Sequence, residues 1–317
     1  MGNAGSTQMR AVVVQRRGGP DVLRVVQLPV PAPRGSQVLV KVAAAGVAAS
    51  DRLLRTMPLA AHLVRQLRGA AIAGLEFSGT VVAAGPEAGL AAGATVYGAL
   101  PSARNGGTYC EYLVADENWM APKPPSLSFA EAAVVPVGAM TAWEMVHTLG
   151  AARAGQRVVV NGATGGIGMF ALQIGRLAGC HVTAVCGARN AALARELGAD
   201  TVLDYRTQDL AAAGTYDVIV DAVGMDAAAV RRLLTPGGAY VTAVFNMGTV
   251  MALRLHGVRA VLAMVRPTRV ALERLTALIE KGALRVVVDR TYPLEEAVQA
   301  QERHFGGAAS GRVVLQV

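Results

Sequence analysis

RVVVNGATGGIGMFALQIGRLAG, residues 157–179, is the stretch that decides the fold. Val158, Val159 and Val160 form an apolar run without alternation, the mark of a parallel strand buried on both faces. Gly162, Gly165, Gly166 and Gly168 follow. Ile167, Phe170, Ala171, Ile174 and Leu177 then recur at helical spacing. Strand, glycine turn and helix in this order make a phosphate-binding turn, here Ala163-x-Gly165-x-x-Gly168. The turn has to be tight and the backbone has to approach a pyrophosphate. The phosphates then meet free N–H groups at the start of the helix. A glycine pattern alone is weak evidence, and the flanking strand and helix make this one specific. It predicts a dinucleotide site built from Ala163, Thr164, Gly165, Gly166, Ile167 and Gly168.

Toward the C-terminus the alternation continues. Strands are predicted at 181–186, 201–204, 216–222 and 239–245, with helices at 190–197 and 226–234 between them. This is the pattern of a doubly wound parallel sheet, an α/β fold. Residues 246–267 show no clear period and are left unassigned. A helix at 269–281, a strand at 285–290, a helix at 294–304 and a strand at 312–317 follow. On the N-terminal side, Ser128 and Glu131 form a capping box for a helix at 128–135 that meets Pro136, and a second helix is expected at 139–149. Before Pro122 the chain changes character. Short strands at 10–14, 22–28, 37–44, 77–84, 93–98 and 108–114 lie among Gly and Pro. The segment LAAHLVRQLRG, 59–69, reads as one helix in an Arg-rich loop. This third of the chain reads as a small barrel-like β domain.

A chain of 317 residues with 53% apolar and only 4% aromatic residues builds its core from Val, Leu, Ala and Ile, in two domains or one with an insertion. Cys110, Cys180 and Cys186 are too few and too scattered for a disulfide framework or a CxxC metal site, which favours a reducing, intracellular compartment. The net charge of +8 does not mark a nucleic-acid binder, because the arginines are spread without a block. It does favour anionic ligands such as a phosphorylated cofactor. With three lysines against 27 arginines, the composition points to GC-rich coding and a bacterial source. The nearest approach to a membrane-spanning run, 240–265, is broken by Arg254, His256 and Arg259. The opening MGNAGSTQMR lacks the apolar core of a secretion signal. It matches a Gly2…Ser6 acylation pattern, but residues 1–9 are read as a flexible leader and the protein as cytoplasmic.

The end of the second strand of the sheet discriminates between NAD and NADP. An acidic residue there would bond the ribose 2′-OH and repel a 2′-phosphate. This chain has Gly187-Ala188-Arg189-Asn190. Arg189 is suited to a charge-assisted contact with the phosphate, so the expected cofactor is NADPH. Tyr205, after the third strand, is a second candidate for the same phosphate.

The order of motifs GGTYCEYLVA, LSFAEAAVVPVGAMTAWEMV, NGATGGIG, HVTAVCGARN, LGADTVLDY and YDVIVDAVG closely resembles the zinc-independent quinone oxidoreductase branch of the medium-chain dehydrogenase/reductase superfamily. The resemblance spans residues 10–317. It implies a GroES-like β-barrel domain at 10–125, completed by 285–317, and a Rossmann NADP-binding domain at 126–284. It places Thr141 near the nicotinamide and Val223 and Phe245 along the cofactor groove, and it implies a homodimer. Zinc-binding relatives carry a Cys at Ala48 and a His-Glu pair at Leu75-Glu76, so no metal is expected here. The branch usually reads GVNP or GINP where this chain has Gly46-Val47-Ala48-Ala49, so a polar group at the reacting end is lost.

The activity implied is NADPH-dependent reduction of a small hydrophobic quinone or an activated C=C bond, with no obligatory acid or base in view. Ser50, Tyr97 and Tyr109 are candidate hydrogen-bond donors. Two rivals keep the scaffold: a biosynthetic cyclase or isomerase without net redox chemistry, motivated by Ala48, and a non-enzymatic NADPH sensor.

Overall fold

The computed structural model describes residues 8–57, 72–101, 106–264, 266–307 and 309–317. They form two compact units. One runs to Val137 and includes Arg266–Glu280 and Val286–Val317; the other comprises Gly138–Val265 and Lys281–Arg285.

In the first unit, β1 (Gln8–Val14) and β2 (Leu23–Pro29) pair as an antiparallel hairpin. A seven-stranded sheet follows the order β14-β15-β3-β4-β5-β7, with β6 also on β3. Its strands are β3 (Gln37–Val47), β4 (Glu76–Ala84), β5 (Thr95–Ala99), β6 (Tyr112–Asp116), β7 (Met120–Pro122), β14 (Val288–Pro293) and β15 (Arg312–Gln316). The alternation of β3 puts Val38, Val40 and Val42 into one core with Phe77, Val81, Val96 and Met120. A helix, Ala49–Thr56, follows β3 directly. The capping box is present: Ser128 N–H donates to Glu131 Oε2 at 2.9 Å, and Glu131 N–H to Ser128 Oγ at 3.2 Å.

In the second unit, β8 (Arg157–Asn161), β9 (His181–Cys186), β10 (Thr201–Asp204), β11 (Tyr216–Asp221), β12 (Leu234–Thr242) and β13 (Arg259–Leu262) form a parallel sheet in the order β10-β9-β8-β11-β12-β13. Val158, Val159 and Val160 are fully buried at its centre, as their unbroken apolar run requires. The helix Gly168–Leu177 returns the chain from β8 to β9.

Several boundaries differ from the expectations. The first strand starts at Gln8 and buries Met9, so it takes the last two residues of the expected leader. Residues 1–7 and the expected helix at 59–69 lie outside the described residues. Pro136 opens a helix, Pro136–Trp143, rather than ending one, because proline's missing N–H costs nothing in a first turn. That helix runs into a π-helical stretch, Glu144–Leu149. Thr108–Cys110 does not join β6. Tyr109 N–H donates to Ala73 O and its carbonyl accepts from Val12 N–H, which stitches the segment to β1. The unassigned 246–267 contains a helix, Met247–Leu255, capped by Asn246, and then β13. Its outer face carries Met247, Met251 and Leu255, all exposed, which erased the apolar/polar period.

Candidate cofactor-binding site

The glycine turn starts where β8 ends. Gly162 has φ +80°, a left-handed conformation that favours glycine. Its N–H and that of Ala163 donate to Val185 O on β9, at 3.2 and 3.0 Å. Gly165 N–H closes the turn on Gly162 O at 3.0 Å. At Gly168 a Cβ would strike the Gly162 carbonyl and lie 2.7 Å from Ala163 Cα, so the helix can approach the strand this closely only with glycine there. Among the described residues, the N–H groups of Thr164, Gly166 and Ile167 donate to no backbone or side-chain acceptor. They are a donor set for an anion at a helix N-terminus.

The other predicted cofactor residues gather around this turn to different degrees. Thr141 is buried on Pro136–Trp143, and Gly138 of that helix packs on the Gly166 carbonyl. Val223 is 63% exposed, yet its Cγ2 lies 2.6 Å from the position a Cβ on Gly162 would take. Phe245 is also exposed. It follows Val244, whose side chain is 3.7 Å from the Cβ position of Gly224. Arg189 is exposed in a single 3-10 turn, Ala188–Asn190. The exposed Tyr205 ring comes within 3.7 Å of the Cβ position of Gly187. No carboxylate stands between Cys186 and Ala191.

Sequence reasoning assigned no role to three residues around this turn. Asn190 Nδ2 donates to Thr164 Oγ1 at 3.0 Å and ties the loop after β9 to the glycine turn. Asn161 and Asp221 end β8 and β11 and are bonded to each other at 2.9 Å. A polar residue closing an apolar strand, twice in one sheet, was the available signal.

The proposed donors lie in the first unit, Tyr109 meeting Asp51, the neighbour of Ser50, and Tyr97 being bonded elsewhere. Tyr97 OH donates to Leu272 O at 2.7 Å and shares a 2.9 Å hydrogen bond with Thr276 Oγ1, and burial raises its pKa. Tyr109 OH donates to Asp51 Oδ2 at 2.6 Å. Both hydroxyl protons are therefore engaged within the protein. Ser50 Oγ is buried and has no hydrogen-bond partner among the described residues. Asp51 is fully buried. It accepts the Ala48 N–H at 2.9 Å, and desolvation, against the opposing Tyr109 and Ala48 bonds, pushes its carboxyl up to about 6. Glu76 pairs with Arg312 and accepts the Val137 N–H at 2.9 Å. Cys110 is buried and its thiol is pushed up to about 12, so it is no thiolate nucleophile at neutral pH. Ala48 and Leu75 offer no metal ligand, and the described residues contain no group of three or more His, Cys, Asp or Glu placed to hold a metal.

An open parallel sheet with a glycine turn at the head of its central helix, in a chain that also carries a separate β-sheet unit, defines a two-domain dehydrogenase-type oxidoreductase. The family model for the alcohol dehydrogenase GroES-like domain matches residues 34–125, and the model described as zinc-binding dehydrogenase matches residues 197–315. The chain is 30% identical over 315 residues to a chloroplastic quinone-oxidoreductase homolog of Spinacia oleracea, covering 94% of this chain and 95% of that one. It is 32% identical over 309 residues to a trans-enoyl reductase, pgmF, of Aspergillus terreus, covering 89% and 86%. The structure of the quinone oxidoreductase from Coxiella burnetii superposes with a TM-score of 0.90 at 27% identity, covering 98% of this chain and 99% of that one. The chain belongs to the medium-chain dehydrogenase/reductase superfamily, in its quinone oxidoreductase-like branch. It is an oxidoreductase of a family that binds a nicotinamide cofactor. No helix among the described residues is long and apolar enough to cross a membrane.

Proposed function

We propose that this protein is an NADPH-dependent reductase of a small hydrophobic quinone or enone. The observation that carries the cofactor assignment is the loop after β9. It has no carboxylate to bond a ribose 2′-OH, it carries the exposed Arg189, and its Gly187 lies against the Tyr205 ring. The three unengaged N–H groups of the glycine turn fit a pyrophosphate, and Asn190 holds that turn to the Arg189 loop. In this reading Ala163–Gly168 and Arg189 bind, while Thr141, Val223 and Phe245 line the groove. NADPH held there would supply a hydride to the electrophilic carbon of the acceptor, whose oxygen end would take a proton from solvent. Of the three candidate donors, Ser50 is the one whose hydroxyl has no partner to leave, so it is our choice for orienting that oxygen or relaying a solvent proton.

The unit Gly138–Val265 with Lys281–Arg285 then acts as the cofactor domain, and the other unit, which also takes 126–137 and 266–280, as the acceptor domain. We further propose a cytoplasmic homodimer of bacterial origin. The dimer is supported by β13, an edge strand of the six-stranded sheet, and by the exposed Met247, Met251 and Leu255 on the preceding helix. An open strand edge beside an apolar stripe calls for a cover, and a second copy pairs edge to edge.

The test mixes purified protein with NADPH or NADH and follows nicotinamide absorbance as 9,10-phenanthrenequinone or a simple enone is added. NADPH should be consumed much faster than NADH. Arg189→Ala should reduce that preference about tenfold to hundredfold, the effect of one charge-assisted contact. Tight NADPH binding with no oxidation would instead favour a cyclase or a sensor.

A further inference from the structure

The order β10-β9-β8-β11-β12-β13 reverses its direction of growth between β8 and β11. Open α/β sheets bind ligands outside the carboxyl ends of their strands at such a point. The last residues of these two strands, Asn161 and Asp221, stand opposite each other in register. Asn161 Nδ2 donates to Asp221 Oδ1 at 2.9 Å. The same oxygen accepts the Val223 N–H at 3.1 Å and the Gly224 N–H at 2.9 Å. The other oxygen accepts the Tyr240 hydroxyl, on β12, at 2.6 Å. Asp221 is completely buried and Tyr240 nearly so. Burial, and then the Asp221 charge, raise the pKa of the Tyr240 phenol, which therefore stays protonated and keeps donating.

One carboxylate thus joins three adjacent strands and the chain leaving β11. Its four donors are what a buried carboxylate requires. A neutral residue of the same shape would leave them poorly matched. The segment held this way is the one that packs on the glycine turn, since Val223 Cγ2 approaches the space over Gly162. A shift of Val223 toward or away from Gly162 changes the room above the turn directly.

We propose that Asn161, Asp221 and Tyr240 form a clamp that positions the dinucleotide, with Asp221 as its central positioning residue. Asp221 acts through Val223 and Gly224 rather than by touching the ligand. The inference rests on the reading of this turn as the nicotinamide cofactor site, and it adds residues that the glycine pattern does not contain.

The test uses the full-length protein and three variants: Asp221→Asn, Tyr240→Phe, and Val182→Ala as a control. Val182 is buried in β9, two strands from β11 in the sheet order, and truncating it weakens the sheet without touching the clamp. NADPH dissociation constants come from quenching of tryptophan fluorescence, thermal midpoints from calorimetry, and KM and kcat from quinone-dependent NADPH oxidation. Asp221→Asn should raise the NADPH dissociation constant and KM about tenfold, the loss expected when charge-assisted bonds become neutral ones. KM for the quinone should stay within about twofold. Tyr240→Phe should act in the same direction by about threefold. Val182→Ala should lower the thermal midpoint and leave NADPH affinity unchanged. The proposal is overturned if Asp221→Asn and Tyr240→Phe lower the midpoint while NADPH affinity holds, or if the control weakens NADPH as much as they do. Should Asp221→Asn fail to fold, Tyr240→Phe against the control decides the question. Wild-type protein that binds neither NADPH nor NADH overturns the cofactor reading, and the clamp with it.

Discussion

Asp51→Asn should stabilise this protein at neutral pH, although it removes a carboxylate that accepts two hydrogen bonds. The side chain is fully buried on the first turn of Ala49–Thr56. Desolvation outweighs the bonds from Tyr109 and Ala48 and the charges of Arg312 and Arg55, and lifts the carboxyl from 3.8 to about 6. The sign follows from linkage. A folded-state value above the unfolded one means that the stabilising contribution is complete below pH 3.8 and is lost as pH rises through about 6. The difference of about 2 pH units corresponds to about 3 kcal/mol withheld from the fold at pH 8. Asn has the shape of the protonated acid. It still accepts the Ala48 N–H, and it carries no charge to desolvate. Urea unfolding at pH 5 and pH 8 measures the effect. Asp51→Asn should gain up to about 3 kcal/mol over wild type at pH 8 and only about half that at pH 5. A variant less stable than wild type at pH 8, by the same margin at both pH values, would refute the reasoning. It would show that the Arg55 and Arg312 guanidiniums need this charge more than burial opposes it.

His304→Gln should show the opposite trend. Burial pushes the imidazole down to about 4, so its contribution is present above pH 6.5 and is lost as pH falls toward 4. The variant should lose less stability than wild type between pH 7 and pH 4.5 in the same urea assay. The two groups titrate in overlapping windows with opposed signs, so wild-type stability should vary little over that range while each single variant tilts. Gly168→Ala should lower stability by about 1–3 kcal/mol, because its Cβ meets the Gly162 and Ala163 backbone rather than a flexible side chain. Opening the turn to make room should raise the NADPH dissociation constant at least about tenfold, measured by fluorescence titration.

The parallel sheet was legible because its strands announce themselves. Val158–Val160 is an unbroken apolar run, the strand at 181–186 is mostly apolar, and the helix between them is periodic. The glycine turn was legible because two of its glycines answer a steric demand, Gly162 and Gly168. The helix Met247–Leu255 was not, because Met247, Met251 and Leu255 face outward and fill the face on which a period shows polar residues. Thr108–Cys110 looked like strand because of its aromatic and branched residues, but long-range bonds to Val12 and Ala73 place it, and no local pattern reports those. Asp221 is the same case within the site. Its role depends on Asn161 and Tyr240, 60 and 19 residues away, which come together only through the strand order.

The buried polar groups are treated differently in the two units. In the second, Asn161, Asp221 and Asn190 all have partners around the glycine turn. Among the described residues, every buried side-chain polar atom without a hydrogen bond lies in the first unit, except the Tyr216 hydroxyl. Ser50 Oγ, Asp51 Oδ1, Thr108 Oγ1 and Gln301 Nε2 are among them. An unsatisfied buried group costs about 1–3 kcal/mol, so such atoms mark where a fold carries strain. A dinucleotide is long and multiply charged, and donors set in advance bind it without reorganisation. A small apolar quinone or enone presents few polar atoms and needs no matching set. On the proposed reading of the glycine turn, cofactor affinity depends on the second unit, whereas spare stability can be recovered in the first. Relieving Asp51 should strengthen the fold and leave the glycine turn, and the affinity it sets, as they are.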